Sequence, residues 1–486
     1  MPGEDGCAGS DPRNGVESPG IDTKTCAHLK RFFELVEGDP EVRARVLDER
    51  VPREQLLADA GLDLPAGEMG PFWRIPVLHT LSLAERDAWR HEFGRCRLGA
   101  LWREWREHDS ARHAGVALRA IPTHPRVRRW RERQLSRVRS EQIAAEDLHH
   151  FPLLCFELSQ GCSVQCWFCS LDPETLKGVY AYTADHRQLW REVLSHSWQL
   201  FGEGCQTTIC YHGTDPVDNP NFFRFQDDLI EIFGVLPQVT TAQALRNPQW
   251  TRTLLEYQRR HVSHFRFSVL TLGTLRKIFR AFTPEDLLEV SLVMQHKEAF
   301  GRKVESGRAI ARGDRLRAEA EYRATASVPA PEKDLQTTCE CAVGYLVNMV
   351  TGRIQLVSPA DSSPATPLGY RTHAEGVFRN GAEFRAFLDR TIEEHMPERP
   401  APGDVLRFRD AIQYERLPDG FRVTSRFRSQ TVRGSSHLGL LGELLHEGTR
   451  TTSEVTGSLI DAGMSPFAAA GWVDRVFQTG ELAEPR

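Results

Sequence analysis

The spacing of apolar and polar residues changes character twice along the chain. From Cys26 to about Glu146 the apolar positions recur every three or four residues. LKRFFELVEG puts Leu29, Phe32, Phe33 and Val36 on one helical stripe, and Gly38 can end that helix. Near Phe151 short apolar runs take over: LLCFEL, TTICYH, QVTTA, FRFSVLTL and EVSLVMQ. They alternate with amphipathic stretches such as DHRQLWREVLSHSWQLF and NFFRFQDDLIEIFG. That alternation predicts a parallel α/β sheet or barrel. A charged, helix-prone stretch covers 302–323, and a Pro/Ala/Ser stretch at 324–331 reads as a connection. GYLVNMVTGRIQLVSP then predicts two strands around Thr351 and Gly352. The last part alternates apolar and polar residues around a Pro-Asp-Gly turn, and three short helices follow. Thr451 with Glu454 fits a capping box opening the second of these. Gly448, Gly463 and Gly480 fit their C-terminal stops. Strands followed by three helices predict a small α+β winged-helix module.

Length and composition narrow the class. A chain of 486 residues is too long for one ordinary core. The divisions expected are a disordered tail over 1–24, a helical N-terminal domain over 25–150, an α/β domain over 151–395 and the small module over 403–486. A hydrophobic content of 40% and a charged content of 26% fit a soluble globular protein. The net charge of -5 gives no general pull toward nucleic acid or an anionic membrane. No apolar run reaches transmembrane length, and MPGEDGCAGSDPRNG lacks the features of a signal peptide, so a cytoplasmic location is expected. The one strongly basic segment, HPRVRRWRERQLSRVRSE, is expected to be a solvated helix face.

The 11 cysteines are an odd number in a long chain, which argues against a disulfide framework. Cys162, Cys166 and Cys169 cluster in ELSQGCSVQCWFCSL, directly after a predicted strand. Iron–sulfur clusters are held by thiolates, and a short loop presents several at once. Three cysteines leave one iron of four open to bind and cleave a small molecule. A structural zinc site would need a fourth ligand nearby, and none has the usual paired spacing.

The CxxxCxxC spacing, with Phe168 before the last cysteine, resembles the radical S-adenosylmethionine (SAM) superfamily. The resemblance implies a [4Fe-4S] cluster on the three cysteines, SAM on the open iron, and Phe168 near the adenine. It implies the superfamily's partial (β/α)6 barrel over the α/β domain. GTDPVDNPN is similar to the superfamily's GGEPLLNPD segment, so Gly213, Thr214, Asp215 and Pro216 become candidate SAM contacts. Thr214 replaces a glycine there, and Asp215 replaces a glutamate. Ser268 and Arg308, on or after later strands, are further candidates.

Across its length the chain resembles the radical SAM peptide epimerases of proteusin-type RiPP maturation. The matching stretches are WRERQ, ELSQGCSVQCWFC, LWREVL, DPVDNPN, TTAQ and GYLVNMV. The resemblance implies removal of Hα from an L-residue and return of hydrogen from a thiol on the opposite face, leaving a D-residue. Cys341 is the expected donor and Cys339 the second choice. The implied partners are a precursor peptide, leader and core, and an electron donor such as flavodoxin or ferredoxin. Thioether or carbon–carbon cross-linking is the alternative chemistry, although the chain after Cys341 carries no cysteine for auxiliary clusters. No cobalamin-binding segment is recognised.

A winged helix usually suggests DNA binding, and an iron–sulfur DNA sensor is the alternative of a different class. A groove-reading helix normally carries several basic residues. SEVTGSLIDAG has none, and the following helix has only Arg475. The module is similar instead to RiPP recognition elements, which hold a leader peptide as an added strand.

Overall fold

The structure is a computed structural model, and it describes residues 20–142, 151–167, 169–296, 298–299, 306–308, 338 and 340–484. Phe168, Cys339, the 324–331 connection and most of the 302–323 stretch lie outside the described residues, as does the N-terminal tail up to residue 19. The chain forms two compact units, each assembled from separate stretches. The first draws on Met1–Val116 and Asp215–Gly301; the second draws on Ala117–Thr214, Arg302–Arg317 and Pro331–Arg486.

In the first unit, helix Thr23–Gly38 starts where the Asp22 carboxylate accepts from the Thr25 amide. Leu29, Phe32 and Val36 are buried on its inner stripe, as their spacing predicts, and pack with Phe72 and Leu98. Gly38 ends the helix, and a side chain there would meet Leu275 at 2.6 Å. Strands β4 (Val239–Thr241), β5 (Phe265–Val269) and β6 (Val290–Met294) form a parallel sheet in that order. Helices Pro248–Arg260 and Leu272–Ala281 lie between them in sequence, giving two β–α–β repeats.

In the second unit, β1 (Leu154–Glu157) pairs in parallel with β7 (Gly344–Asn348). β8 (Arg353–Pro359) and β9 (Tyr370–Val377) extend that sheet antiparallel. The turn between β7 and β8 falls at Thr351 and Gly352, as expected, with Gly352 at a left-handed φ of 70°. TTICYH does not become a strand: Ile209 alone makes a parallel bridge, to Cys155. Among the described residues the parallel strands fall into these two sheets and not into one continuous six-stranded sheet. β2 (Ser159–Gln160) and β3 (Gly178–Val179) form a small antiparallel clip flanking the cysteine loop.

Helix Pro125–Glu141 corrects the expectation of a solvated basic face. Arg131, Arg133 and Arg137 are only 4–5% exposed. Arg131 donates to the carbonyls of Phe151 and Val343, so its guanidinium ties the starts of β1 and β7 together. Trp130 and Val127 on the same helix are fully buried, so its packing face carries charge and apolar area together.

The end of the chain follows the sequence closely. β10 (Gln413–Leu417), β11 (Gly420–Thr424) and β12 (Ser429–Arg433) form an antiparallel sheet turning at Pro418-Asp419. Helices Ser436–Glu447, Thr452–Asp461 and Pro466–Gln478 pack on it around Phe421, Leu441, Val455 and Val473. Gly448, Gly463 and Gly480 follow these helices with positive φ. No helix among the described residues is long and apolar enough to cross a membrane.

Thr451 and Glu454 form the reciprocal capping box. Thr451→Ala should lower stability by about 1 kcal/mol. Urea denaturation followed by circular dichroism checks this, and an unchanged midpoint would remove the cap from the stability account.

Candidate functional site

The cysteine loop leaves the C-terminal end of β1, and its shape is set by its own polar groups. Gly161 has φ 77°, and a side chain there would meet the Glu174 and Thr175 carbonyls at 2.6 and 2.5 Å, so only glycine fits. Gln165 takes a left-handed φ of 51°, and its amide group donates to the carbonyls of Cys162 at 2.7 Å and Glu174 at 2.9 Å. The Cys162 amide donates to Glu174, and the Cys169 amide donates to Cys166 at 3.2 Å. Cys162 is buried; Cys166 and Cys169 are half-buried.

Arg308 acts on this loop. Its backbone amide donates to the Cys169 carbonyl at 2.9 Å. Its guanidinium donates to Asp172 at 2.8 Å, to the Pro173 carbonyl at 2.7 Å and to the Cys166 carbonyl at 3.3 Å. The guanidinium therefore holds the backbone that carries two of the cysteines.

Among the described residues no three His, Cys, Asp or Glu side chains converge closely enough to hold a single metal ion.

Beside the loop lies a cavity of about 510 Å³, whose walls include Glu157, Gly161, Asp172, His212, Gly213 and Asn348. Glu157 ends β1 and accepts from the Asn348 side chain at 2.7 Å. Gly213 has φ 63°, and a side chain there would meet the Glu157 carboxylate at 2.8 Å. His212 lies between two carboxylates: Nε2 is 2.6 Å from Glu340 and Nδ1 is 3.5 Å from Glu157. Both His212 and Glu340 are buried. Burial alone would discharge the imidazole, but the two carboxylates outweigh it and push its pKa up to about 10.

Other candidates have different surroundings. Asp215 and Ser268 belong to the first unit. The Asp215 carboxylate is a structural clasp: it accepts from Thr241 at 2.7 Å, from the Ala242 amide at 2.9 Å and from the Val217 amide at 3.1 Å. Burial still pushes its pKa up to about 6. Pro216 opens the short turn that Asp215 caps. Thr214 closes a turn back to the Tyr211 carbonyl. Ser268 is half-buried, the last residue but one of β5. Cys341 is half-buried, three residues before β7 and directly after Glu340.

Sequence reasoning missed Glu157, His212 and Glu340. Each carried a faint signal. Glu157 is the one charge inside the apolar run LLCFEL, His212 directly precedes the Gly213 segment, and Glu340 separates Cys339 from Cys341.

Comparison with known proteins adds a lineage. Uncharacterized protein y4wI of Sinorhizobium fredii (strain NBRC 101917 / NGR234) is 35% identical over 468 residues, covering 95% of this chain and 88% of that protein. The chain belongs to the y4wI family. The family described as Protein y4wI C-terminal domain matches residues 406–480, the stretch that holds the terminal sheet and its three helices. A solved structure, BtrN in complex with AdoMet and 2-DOIA, aligns with 50% of this chain and 87% of that chain at 13% identity. The TM-score of that alignment is 0.28.

The His212 charge gives a pH signature. Its folded pKa lies above the ordinary 6.5, so the stability it contributes is complete below pH 6.5 and is lost as pH rises toward 10. The gap in unfolding free energy between wild type and Glu340→Gln should be widest near pH 6.5 and shrink toward pH 10. Urea melts across that range test this, and a pH-independent gap would contradict the assignment.

Proposed function

We propose that this y4wI-family chain is a radical SAM enzyme that converts L- to D-residues in a ribosomally made precursor peptide. The observation that carries the proposal is the CxxxCxxC loop, braced by Gln165 and Arg308 at the end of β1, beside a cavity with a carboxylate on its wall. Cys162, Cys166 and Cys169 would hold a [4Fe-4S] cluster. The chain's fold would be the superfamily's partial (β/α)6 barrel, a reading supported by the parallel β–α–β pairing of β4, β5 and β6 within the first unit.

When bound, the cluster and SAM supply a 5′-deoxyadenosyl radical able to take hydrogen from an unactivated carbon. The chain's own groups then do the rest. Glu157, next to the side-chain-free Gly213, offers a negative wall for a cationic ligand such as the sulfonium or ammonium of SAM. Phe168 would lie against the adenine. Cys341 would return a hydrogen atom to the planar Cα of the peptide, on the face opposite to abstraction. The thiyl so formed regains its thiol with one electron from the external reductant, a flavodoxin or ferredoxin, and one proton from solvent.

The terminal module would act as a winged-helix RiPP recognition element. Its outer strands β10 and β12 have no further strand beyond them among the described residues, so either edge can accept the leader as an added strand.

The test is an anaerobic reaction of reconstituted enzyme, SAM, reductant and precursor peptide in deuterated water. Formation of 5′-deoxyadenosine, D-residues and a gain of about one mass unit per event, from an exchangeable thiol, is the expected result. Cys169→Ala should abolish 5′-deoxyadenosine. Cys341→Ala should keep 5′-deoxyadenosine and Hα loss while D-residue formation falls at least about tenfold. A loss of about two mass units without D-residues would mean cross-linking instead.

A further inference from the structure

Cys341 stands apart from its surroundings. In the stretch 340–347 every other residue is buried, and Cys341 alone is half-buried. The other described thiols of the second unit outside the cysteine loop, Cys155, Cys205 and Cys210, are buried. Burial pushes the pKa of Cys155 and Cys205 well up, which suits inert core thiols.

The backbone on both sides of Cys341 is pinned. Glu340 Oε1 accepts from the Ala342 amide at 2.6 Å. That bond spans Cys341. It closes a ring through the backbone of 340–342 and restricts the dihedral angles that aim the Cys341 side chain. Before it, the Glu340 amide donates to Thr338 Oγ1 at 2.9 Å, and Thr338 donates to the Gly369 carbonyl at 2.6 Å. After it, Ala342 packs with Cys155 and Ile209, and the Val343 amide donates to the Pro152 carbonyl at 3.0 Å.

His212 takes the other oxygen of Glu340. Oε2 is 2.6 Å from His212 Nε2, and His212 Nδ1 stands 3.5 Å from Glu157. Hydrogen bonds between charged groups are the strong kind, and Glu340 and His212 are both buried. Glu157 ends β1, the strand from which the cysteine loop leaves. One carboxylate thus holds the backbone around Cys341 with one oxygen. Through His212 it ties that backbone to the base of the cysteine loop with the other.

We propose that Glu340 and His212 are positioning residues for the Cys341 thiol, holding it in a fixed place relative to the cysteine loop. The purpose of this device rests on the epimerase reading above. There the thiol must meet one face of a planar Cα, and misplacement by about 1 Å costs on the order of a hundredfold in rate. Glu340 and His212 touch no reacting atom; they act through the thiol.

The first test uses the full chain without cluster, SAM or peptide. Iodoacetamide alkylation is followed cysteine by cysteine with peptide mass spectrometry. Glu340→Ala should speed alkylation of Cys341 about tenfold, as loss of the hydrogen bond lets the segment open. Half-buried Cys96, in the first unit, should keep its rate. Removing a negative charge also favours the reactive thiolate. Glu340→Gln separates the two effects: it keeps an acceptor for the Ala342 amide and should stay within about threefold of wild type. A wild-type rate in Glu340→Ala, equal rates in the two variants, or a matching rise at Cys96 would overturn the proposal.

The second test uses the reconstituted enzyme with SAM, reductant and precursor peptide. Glu340→Ala should keep 5′-deoxyadenosine formation and the peptide KM, while D-residues per 5′-deoxyadenosine fall at least about tenfold. Glu340→Gln should recover most of that ratio. A wild-type ratio in Glu340→Ala, or parallel loss of both products, would overturn the proposal. If wild-type enzyme makes no D-residues, the epimerase reading fails, and the alkylation rates still decide whether Glu340 holds Cys341.

Discussion

A protonated imidazole sealed between two carboxylates is stable only while all three groups stay within reach. Burying one of these charges alone would cost several kcal/mol, so Glu157, His212 and Glu340 must arrive together. They come from the end of β1, from the turn before Gly213, and from the stretch before β7. Their union therefore registers three distant parts of the chain at one cavity wall. It also explains the glycine at 213, since the Glu157 carboxylate fills the space a side chain would need. The wall is acidic on balance, with two carboxylates around one cation. A positively charged ligand is therefore better matched to it than an anion.

Arginine builds the rest of the second unit in a way that hydrophobic patterning does not convey. Arg308 braces the cysteine loop through two backbone carbonyls, and Arg131 ties β1 to β7 through two more. Backbone carbonyls at strand ends and in tight loops lack ladder partners, and a guanidinium satisfies several at once. Such an arginine replaces the hydrogen bonds that water would have made.

What could be read directly from the chain was whatever local physics decides. The helix stripe of Leu29, Phe32 and Val36, the turn at Thr351 and Gly352, the capping box of Thr451 and Glu454, and the three helix-ending glycines of the terminal module all depend on neighbours within a few residues. Each appears where the spacing put it. TTICYH failed for the opposite reason. Its apolar content suits a strand, but only Ile209 finds a pairing partner, because the chain turns at Tyr211 to bring His212 inward. The basic helix was misjudged because composition counts charges without showing which of them a sheet will cover. Arg131 and Arg137 are buried by carbonyls far away in sequence, which no window of residues contains.

The same distinction separates the legible part of the candidate site from the hidden part. Cys162, Cys166 and Cys169 stand within one turn, so their spacing announces them. Asp215 also looked like a site residue, since it sits in a segment of the right kind. Its carboxylate is nevertheless engaged by Thr241, Ala242 and Val217. Three donors on one carboxylate leave little capacity for a ligand, whereas Glu157 has only Asn348 and the more distant His212. A motif position fixes where the backbone runs, but hydrogen-bond occupancy decides which nearby carboxylate remains available. On that criterion the carboxylate with acceptor capacity left among the described residues is Glu157, twelve residues before the last cysteine and outside the segment where a motif search would look.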